Sequence, residues 1–335
     1  MRTYNVAIVG TGAVGQMILN ILEEREFPVG GLKLLATKRS AGKTIYFRGE
    51  PYIIEETSPD SFEDVEIAMF AGGGASTQFA RGAVEKGAIV IDNSSAFRLD
   101  PQVPLIVPEV NSHAIDEHHG IISNPNCSTT QMVMALKPLH DAAVIKRVVV
   151  STYQAVSGAG KKAVDELSLQ TRNILNENSF ETEIFTHQIA FNLIPHIDVF
   201  LDNGYSKEEM KMVDETKKIL GDDSMGITAT AARVPVYTGH AESINIETEK
   251  SISAAEARAI LSSAPGIKVV DNLEKNRYPM PIDCADSDFV YVGRIREDNS
   301  IEKGLNLWVV SDNLRKGAAT NAVQIAELVI SKNLI

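Results

Sequence analysis

Apolar runs and glycine-rich turns alternate with helix-like segments in the first third of the chain. Asn5-Val6-Ala7-Ile8-Val9 is a short apolar run of the kind that forms a buried strand, and apolar residues at helical spacing follow it. Strand-like runs also lie at 32–36, 65–70 and 88–92, with a predicted helix at 77–86. This alternation predicts an α/β fold built on a doubly wound, Rossmann-type parallel sheet.

The pattern changes after a strand rich in β-branched residues, predicted at 147–156. The elements predicted beyond it are two helices and two strands, at 161–175, 206–220, 227–234 and 241–246. This mixture favours an α+β domain with a mixed sheet. A final amphipathic helix at 317–328 is expected to pack against the first domain.

These patterns divide the chain into two expected domains. One covers 1–126 and is completed by the C-terminal helix at 313–335, and the other covers 127–312. Residues 53–64 are polar and turn-rich, and 101–109 contain three prolines, so both stretches are predicted to be irregular.

Composition narrows the class of protein. The 335 residues are 44% hydrophobic and 23% charged, which is ordinary for a globular chain of two domains. The net charge of −12 argues against nucleic acid as a partner, and no apolar stretch is long enough to cross a membrane. The N-terminus has no signal-peptide pattern, so a cytoplasmic protein with free thiols at Cys127 and Cys284 is expected. His118 and His119 lack partners at zinc-like spacing, and no metal site is predicted.

A glycine motif follows the first predicted strand. Gly10-Thr11-Gly12-Ala13-Val14-Gly15 leads directly into a helical pattern. The first glycine permits a tight turn, the second lets main-chain N–H groups approach a pyrophosphate, and the third permits close helix packing. The motif predicts a dinucleotide site formed by Gly10, Thr11, Gly12, Ala13, Val14 and Gly15.

The end of the second strand indicates which dinucleotide is bound. A site for NAD usually has an acidic residue there, whereas this chain has Thr37-Lys38-Arg39-Ser40. Cations and hydroxyl groups suit a 2′-phosphate, so NADP is favoured, with Thr37, Arg39 and Ser40 as its contacts. Gly72 and Gly73, after a later strand, are candidates for the nicotinamide half of the cofactor.

Cys127 is the candidate nucleophile. Pro125 favours an extended turn before it, and Asn126 is a good residue to cap a helix that begins at the cysteine. The N-terminal turn of a helix favours a thiolate over a thiol. A buried structural cysteine is the alternative. The helix is expected to end or kink at Pro138.

Three segments taken together identify a family. Ser123-Asn-Pro-Asn-Cys127-Ser-Thr-Thr, Tyr153-Gln-Ala-Val-Ser-Gly-Ala-Gly160 and Arg233-Val-Pro-Val-Tyr-Thr-Gly-His240-Ala-Glu242 resemble aspartate-semialdehyde dehydrogenase, and the resemblance covers nearly the whole chain. It implies the reversible, NADPH-dependent reduction of L-4-aspartyl phosphate to L-aspartate 4-semialdehyde with release of phosphate, in the biosynthesis of lysine, threonine and methionine. It also suggests a homodimer or homotetramer formed through the second domain.

The resemblance implies a role for each matching residue. Cys127 would be the acyl-accepting nucleophile, His240 the acid/base, and Gln154 a residue that orients the thioester. Arg233 would hold the substrate carboxylate and Glu208 its ammonium group. The phosphate pocket would comprise Lys211, Arg98 and Asn126, and the cofactor residues would include Ser157, Gly158 and Gln324. Glu208 and Lys211 are three residues apart, so on a helix they share one face.

Three alternative functions would use some of the same candidate residues. A reductase for N-acetylglutamyl phosphate would use the same cysteine chemistry. The cysteine of that family, however, stands in a turn that resembles Gly-Cys-Tyr-Pro, whereas this chain has Asn126-Cys127-Ser128. A cysteine acyl hydrolase would have no use for a dinucleotide loop. A non-catalytic NADPH-binding regulator would not need Cys127 and His240.

Overall fold

The computed structural model describes residues 2–335, which fold into two compact units. Unit 1 comprises residues up to Asn126 together with Ala318–Ile335, and unit 2 comprises Cys127–Gly317. Each unit has its own sheet.

In the described part of unit 1, seven strands form a sheet in the order β3-β4-β2-β1-β5-β6-β7. All neighbouring strands are parallel except β3, which is antiparallel to β4. The strands are β1 (Tyr4–Val9), β2 (Val29–Ala36), β3 (Thr44–Phe47), β4 (Glu50–Glu56), β5 (Ile67–Phe70), β6 (Ile89–Asp92) and β7 (Ile121–Ser123). The helices are α1 (Ala13–Glu24), α2 (Gly73–Glu85) and α3 (Pro108–Asn111). The predicted doubly wound sheet is therefore confirmed.

Unit 2 contains a six-stranded mixed sheet within the described residues, in the order β11-β12-β13-β10-β8-β9. Its strands are β8 (Ile145–Gln154), β9 (Gly226–Arg233), β10 (His240–Thr248), β11 (Ile267–Val269), β12 (Val290–Glu297) and β13 (Gly304–Ser311). Its helices are α4 (Cys127–Ala143), α5 (Lys161–Leu175), α6 (Lys207–Leu220), α7 (Ala254–Ser263) and α8 (Pro281–Cys284). The central strand β10 is antiparallel to both β8 and β13.

The last helix, α9 (Thr320–Ser331), returns to unit 1. Ala322, Val323, Ile325, Ala326 and Val329 are fully buried in the same cluster as residues of β1 and α1. The predicted packing of this helix against the first sheet is confirmed.

Three local predictions were wrong in whole or in part. Residues 50–56 form strand β4 of a hairpin, although 53–64 were expected to be irregular. The Cys127 helix was expected to end or kink at Pro138, and it does not end there but continues to Ala143, because Leu136, Leu139 and Ala143 on either side of the proline are buried. The irregular stretch at 101–109 also gives way to α3, which begins at Pro108, a position where proline needs no N–H partner.

Candidate active site

A cavity of about 780 Å³ lies in unit 1 at the carboxyl ends of its central strands. This edge is where open parallel sheets bind ligands. Its lining includes eight of the predicted cofactor residues, namely Gly10, Thr11, Gly12, Thr37, Arg39, Ser40, Gly72 and Gly73. Glu56, at the end of β4, lines the same cavity and was missed, because the hairpin that brings it there was not predicted.

The glycine turn has the geometry that its motif predicts. Gly10 has a φ of +100°, which favours glycine, and a methyl group on Gly15 would lie only 1.9 Å from the carbonyl oxygen of Gly10. A methyl group on Gly12 would meet nothing within 4 Å, so this residue borders open space. Ala13, Val14 and Gly15 belong to α1 and are absent from the cavity lining.

Three other candidates in unit 1 have structural contacts of their own. Arg98 is 7% exposed, and its guanidinium donates hydrogen bonds to the carbonyl oxygens of Asn124 and Asn93. Asn126 is buried directly before α4, and Gln324 on α9 donates to Glu109 Oε1. These contacts hold the end of β7 and α9 in place.

Cys127 is the first residue of α4, as predicted, and is half-buried. The main chain of Gly317 packs against it, since a methyl group on Gly317 would lie 2.9 Å from Cys127 Cβ. Gly317 belongs to a π-type turn at 315–319, and its N–H donates to the carbonyl oxygen of Asp312. The main chain of Gly317 therefore fixes one side of Cys127, the candidate nucleophile.

His240 begins β10 and is fully buried. Its Nδ1 accepts a hydrogen bond of 3.1 Å from the main-chain N–H of Ala155, and its Nε2 has no partner within residues 2–335. Burial, followed by the charge of Arg233, lowers the pKa of His240 well below its ordinary value of 6.5. The imidazole is therefore neutral at neutral pH.

Arg233 ends β9 and is 6% exposed. Its Nη1 donates to the carbonyl oxygen of Ala155 at 2.8 Å. Burial lowers its pKa, against which the charges of Glu208 and Cys127 act. A methyl group on Gly158 would lie 2.8 Å from this Nη1 and 3.1 Å from His240 Nε2. Arg233 and His240 thus meet over Gly158, where a methyl group would require the guanidinium to shift.

The remaining candidates of unit 2 form a hydrogen-bonded chain. Gln154 Nε2 donates to Glu208 Oε1 at 3.2 Å, and Lys211 Nζ lies 3.1 Å from Glu208 Oε2, which confirms their shared helix face. Lys211 also contacts Asp198 Oδ2 at 2.8 Å. Burial alone would lower the pKa of Lys211, but Glu208 and Asp198 outweigh it and raise that pKa. Asp198 was not foreseen as a partner.

Residues 2–335 contain no cluster of three His, Cys, Asp or Glu side chains suited to hold a metal ion. In the same residues, no helix combines the length and apolar character needed to cross a bilayer.

Comparison with known proteins agrees with this arrangement. The family model for the semialdehyde dehydrogenase NAD-binding domain matches residues 5–118, and that for the semialdehyde dehydrogenase dimerisation domain matches residues 136–316. The aspartate-semialdehyde dehydrogenase of Aquifex aeolicus is 55% identical over 99% of both chains. The chain belongs to the aspartate-semialdehyde dehydrogenase family. The resemblance found in its motifs is thereby confirmed.

Two solved aspartate-semialdehyde dehydrogenases extend the comparison. The second enzyme of Vibrio cholerae, complexed with ASA, has a TM-score of 0.96 and 50% identity, with 99% of each chain covered. The enzyme of Candida albicans with NADP has a TM-score of 0.80 and 26% identity over the full length of both chains. The chain is therefore an enzyme with a nicotinamide dinucleotide cofactor and a family dimerisation domain.

The structure also shows residues outside the family motifs that support the candidate site and that the sequence analysis missed. Asn313, after β13, accepts a hydrogen bond from the N–H of Gly239 at 2.9 Å and donates one to Ser157 Oγ at 3.0 Å. It therefore joins the turn before His240 to the loop of Gly158. Isolated asparagines carry no motif, although Asn313 follows Asp312 in the turn after a strand, where such residues commonly bond to main chain.

A second supporting group is buried on the same face of β10 as His240. Glu242 is fully buried, and burial raises its pKa well above 4.5. Gln131, one turn into the Cys127 helix, accepts a hydrogen bond of 2.7 Å from Ser311 Oγ. Ser311 is the register partner of His240, so the hydrogen bond between Ser311 and Gln131 joins the helix that begins at Cys127 to the sheet.

Proposed function

We propose that this protein catalyses the reversible NADPH-dependent conversion of L-4-aspartyl phosphate to L-aspartate 4-semialdehyde and phosphate, within lysine, threonine and methionine biosynthesis. The observation that carries the proposal is the group formed by Cys127, Arg233 and His240 in unit 2. Arg233 and His240 meet over Gly158, and Arg233 shares an electrostatic interaction with Cys127. Near-complete coverage of relatives that bear this enzyme's name supports it.

Cys127 supplies the covalent step. Its thiolate displaces phosphate from the acyl group, which leaves a thioester on the enzyme. The helix N-terminus and the nearby guanidinium of Arg233 both favour the thiolate. Gln154, which bonds to Glu208, is placed to orient the acyl group, and His240 acts on the carbonyl oxygen.

The substrate is an amino acid that carries three charged groups. Arg233 binds the carboxylate, since a guanidinium can grip both oxygens, and Glu208 binds the ammonium group. Lys211 binds the phosphate, and Arg98 and Asn126 keep the phosphate-binding roles that the family resemblance implies. An N-acylated substrate has no ammonium for the buried Glu208, so the free amino acid derivative is favoured over N-acetylglutamyl phosphate.

The cavity of unit 1 fits a dinucleotide. Gly12, Gly72 and Gly74 border open space, and α1 begins directly after the glycine turn, which suits a pyrophosphate. When bound, the nicotinamide supplies hydride to the thioester or takes it back in the reverse direction. Arg39, Thr37 and Ser40 favour NADP, and Ser157, Gly158 and Gln324 keep their assignment to the cofactor.

The decisive experiment follows nicotinamide absorbance while purified protein oxidises L-aspartate semialdehyde. We expect turnover that requires phosphate, prefers NADP to NAD and is lost in Cys127→Ala. The matched substrate is N-acetylglutamate semialdehyde, for which we expect little turnover. Faster reaction with the acetylated substrate would favour the alternative reductase. Cofactor binding without turnover of either substrate would favour a non-catalytic regulator.

We also infer that unit 2 forms a homodimer, or the dimers of a homotetramer. Support comes from the matched dimerisation domain and from exposed apolar side chains of unit 2, including Phe191, Val199, Phe200 and Ile282. Light scattering across a concentration series tests this, and a monomer at micromolar concentration would refute it. We also propose a cytoplasmic location, which is supported by the absence of a disulfide between Cys127 and Cys284 in the described residues.

A further inference from the structure

Lys211 contacts two carboxylates, and only one of them, Glu208, has a role in the proposed reaction. The Nζ atom of Lys211 lies 2.8 Å from Asp198 Oδ2 and 3.1 Å from Glu208 Oε2. The side chain of Glu208 is 7% exposed, whereas that of Asp198 is 31% exposed. Lys211 therefore has a buried partner and a more accessible one, and the accessible partner is the closer of the two.

The segment that carries Asp198 is bonded to the main chain of the proposed site at two points. Ile194 exchanges two main-chain hydrogen bonds with Arg233, of 3.0 and 2.8 Å. The carbonyl oxygen of Val199 accepts a hydrogen bond of 2.8 Å from the N–H of Lys207, the first residue of α6. The N–H of Val199 also donates to Asp198 Oδ1 at 2.9 Å. The carboxylate of Asp198 is therefore held in place by main chain.

Glu208 has a partner on each of its carboxylate oxygens. Its Oε1 accepts from Gln154 Nε2 at 3.2 Å, and its Oε2 accepts from Lys211. A substrate ammonium group that reaches this carboxylate competes with Lys211, because one negative charge would then face two positive charges in a largely buried place. Glu208 can therefore pair fully with the substrate only if Lys211 has another anion.

We propose that Asp198 is a positioning residue, which holds the ammonium group of Lys211 while the substrate ammonium group takes its place on Glu208. The proposal rests on the proposed function, because it requires an amino acid substrate on Glu208. It gives a reason for the second carboxylate beside Lys211, which no motif predicted.

The charges of the bound amino acid then pair one to one with those of the protein. The substrate carboxylate pairs with Arg233, its ammonium group pairs with Glu208, and Lys211 pairs with Asp198. An ammonium group has three N–H donors, so Lys211 can donate to phosphate while it stays on Asp198. Burial lowers the pKa of Lys211, but the two carboxylates outweigh it and raise that pKa, which agrees with a lysine that keeps its charge.

The arrangement distinguishes substrates by their ammonium group. A substrate that lacks this group leaves Lys211 in contact with Glu208, so its binding does not depend on a second anion. Removal of the Asp198 charge should therefore weaken binding of the amino acid and spare the amine-free analogue.

Asp198→Asn tests this with a matched pair of substrates. Asparagine has nearly the same shape as aspartate, and it tolerates the left-handed main chain of this residue, whose φ is +68°. Initial rates at saturating phosphate and cofactor give KM for L-aspartate semialdehyde and for succinate semialdehyde, which is the same molecule without the ammonium group. Where succinate semialdehyde reacts too slowly, its competitive inhibition constant replaces KM.

We expect KM for aspartate semialdehyde to rise about fivefold in Asp198→Asn, and the constant for succinate semialdehyde to change by less than about twofold. Asp202→Asn, at an exposed residue of the same segment, is the control and should change neither value. An unchanged KM for aspartate semialdehyde in Asp198→Asn would overturn the proposal. Equal rises for the two substrates would also overturn it, because Asp198 would then support the site without regard to the ammonium group.

Trace acetylation of lysines, measured by peptide mass spectrometry, tests the contact without any substrate. We expect Lys211 to react about threefold faster in Asp198→Asn, because loss of one anion lowers its pKa. Lys161, which is 82% exposed, should react equally in both proteins. An unchanged rate at Lys211 would overturn the proposal. Failure of the wild-type protein to turn over aspartate semialdehyde would instead refute the proposed function, and the acetylation rates would still show whether Asp198 controls Lys211.

Discussion

The glycine-lined cavity of unit 1 and the proposed reaction centre of unit 2 are built from different parts of the chain. In unit 1 five glycines line the cavity, most of them in turns at the ends of neighbouring parallel strands. In unit 2 the proposed reaction centre consists of side chains from separate elements, with Cys127 on α4, Arg233 on β9 and His240 on β10. Burial also differs, since Arg39 is exposed whereas His240 is fully buried.

The difference explains how each site can be altered. A glycine-rich turn holds a ligand by shape and N–H direction, so the side chains beside it tune the preference between related ligands. A buried cluster depends on every member, because each charge or donor is satisfied by the others. We therefore expect substitutions in unit 2 to abolish chemistry and substitutions in unit 1 to change cofactor preference.

The largest effect is expected for Cys127→Ala. Loss of the thiolate removes the covalent step, so turnover should fall by roughly 10⁴-fold or more while NADPH affinity, measured by fluorescence titration, stays within about twofold. Cys284→Ala is the matched control and should keep normal turnover. A parallel loss of cofactor affinity in Cys127→Ala would show that the two sites are not chemically separate.

A smaller loss is expected for Gly158→Ala. The added methyl group would lie 2.8 Å from Arg233 Nη1, so the guanidinium must move. Misplacement on the scale of 1 Å can lower a rate by about 10²-fold, and we expect kcat/KM for the semialdehyde to fall by that order. In the control Gly226→Ala, the nearest contact is an ordinary 3.6 Å. If KM for NADP alone rose, the methyl group would disturb only the cofactor contact proposed for Gly158, and the contact with Arg233 would not matter for the reaction.

Arg39→Ala tests the cavity of unit 1. Loss of a charge-assisted hydrogen bond to the 2′-phosphate should raise KM for NADP about tenfold and leave KM for NAD nearly unchanged. Lys43→Ala removes the same charge from a residue outside the cavity lining and is the control. Equal changes for the two cofactors would mean that Arg39 does not distinguish them.

The smallest effect concerns Asp198. Partial burial alone would raise its pKa, but the hydrogen bond and charge of Lys211 hold that pKa below 3.8. A carboxylate whose pKa is lowered by folding stabilises the protein above its unfolded pKa, and this stabilisation disappears as pH falls through the folded value. Asp198→Asn should therefore lower the free energy of unfolding by at most about 1 kcal/mol at pH 7 and by a smaller amount near pH 3.

Urea unfolding at the two pH values measures this difference. Asp202→Asn, at an exposed residue of the same segment, is the control and should change nothing at either pH. A loss for Asp198→Asn that persisted at the lower pH would show that Asp198 contributes through packing rather than charge.

Local sequence signals predicted the elements of unit 1 because each buried strand is a separate apolar run followed by a turn. The hairpin formed by β3 and β4 was missed because its residues are largely exposed, and Tyr46 and Ile53 lie on its open surface. A hairpin at the edge of a sheet buries few side chains, so its sequence lacks the apolar run that marks a buried strand. Glu56, at its end, was missed with it.

Unit 2 was less predictable because its contacts join residues far apart in the chain. Cys127 and His240 stand in motifs, but Asn313 bonds to Ser157 across 156 positions and Ser311 bonds to Gln131 across 180. No local pattern encodes such pairs. Pro138 shows the same limit, since burial of α4 on both sides outweighs the cost of proline within a helix.

The contact between Ala155 and His240 also bears on how this protein can change by mutation. Its donor is a peptide group, which every amino acid except proline supplies, so the ring of His240 is held by a feature that residue identity at position 155 does not encode. Substitutions there are constrained by volume alone, and proline is forbidden for a chemical reason. Position 155 could therefore vary among descendants of this chain while the hydrogen bond to His240 is kept, and a comparison of their sequences would not reveal that contact.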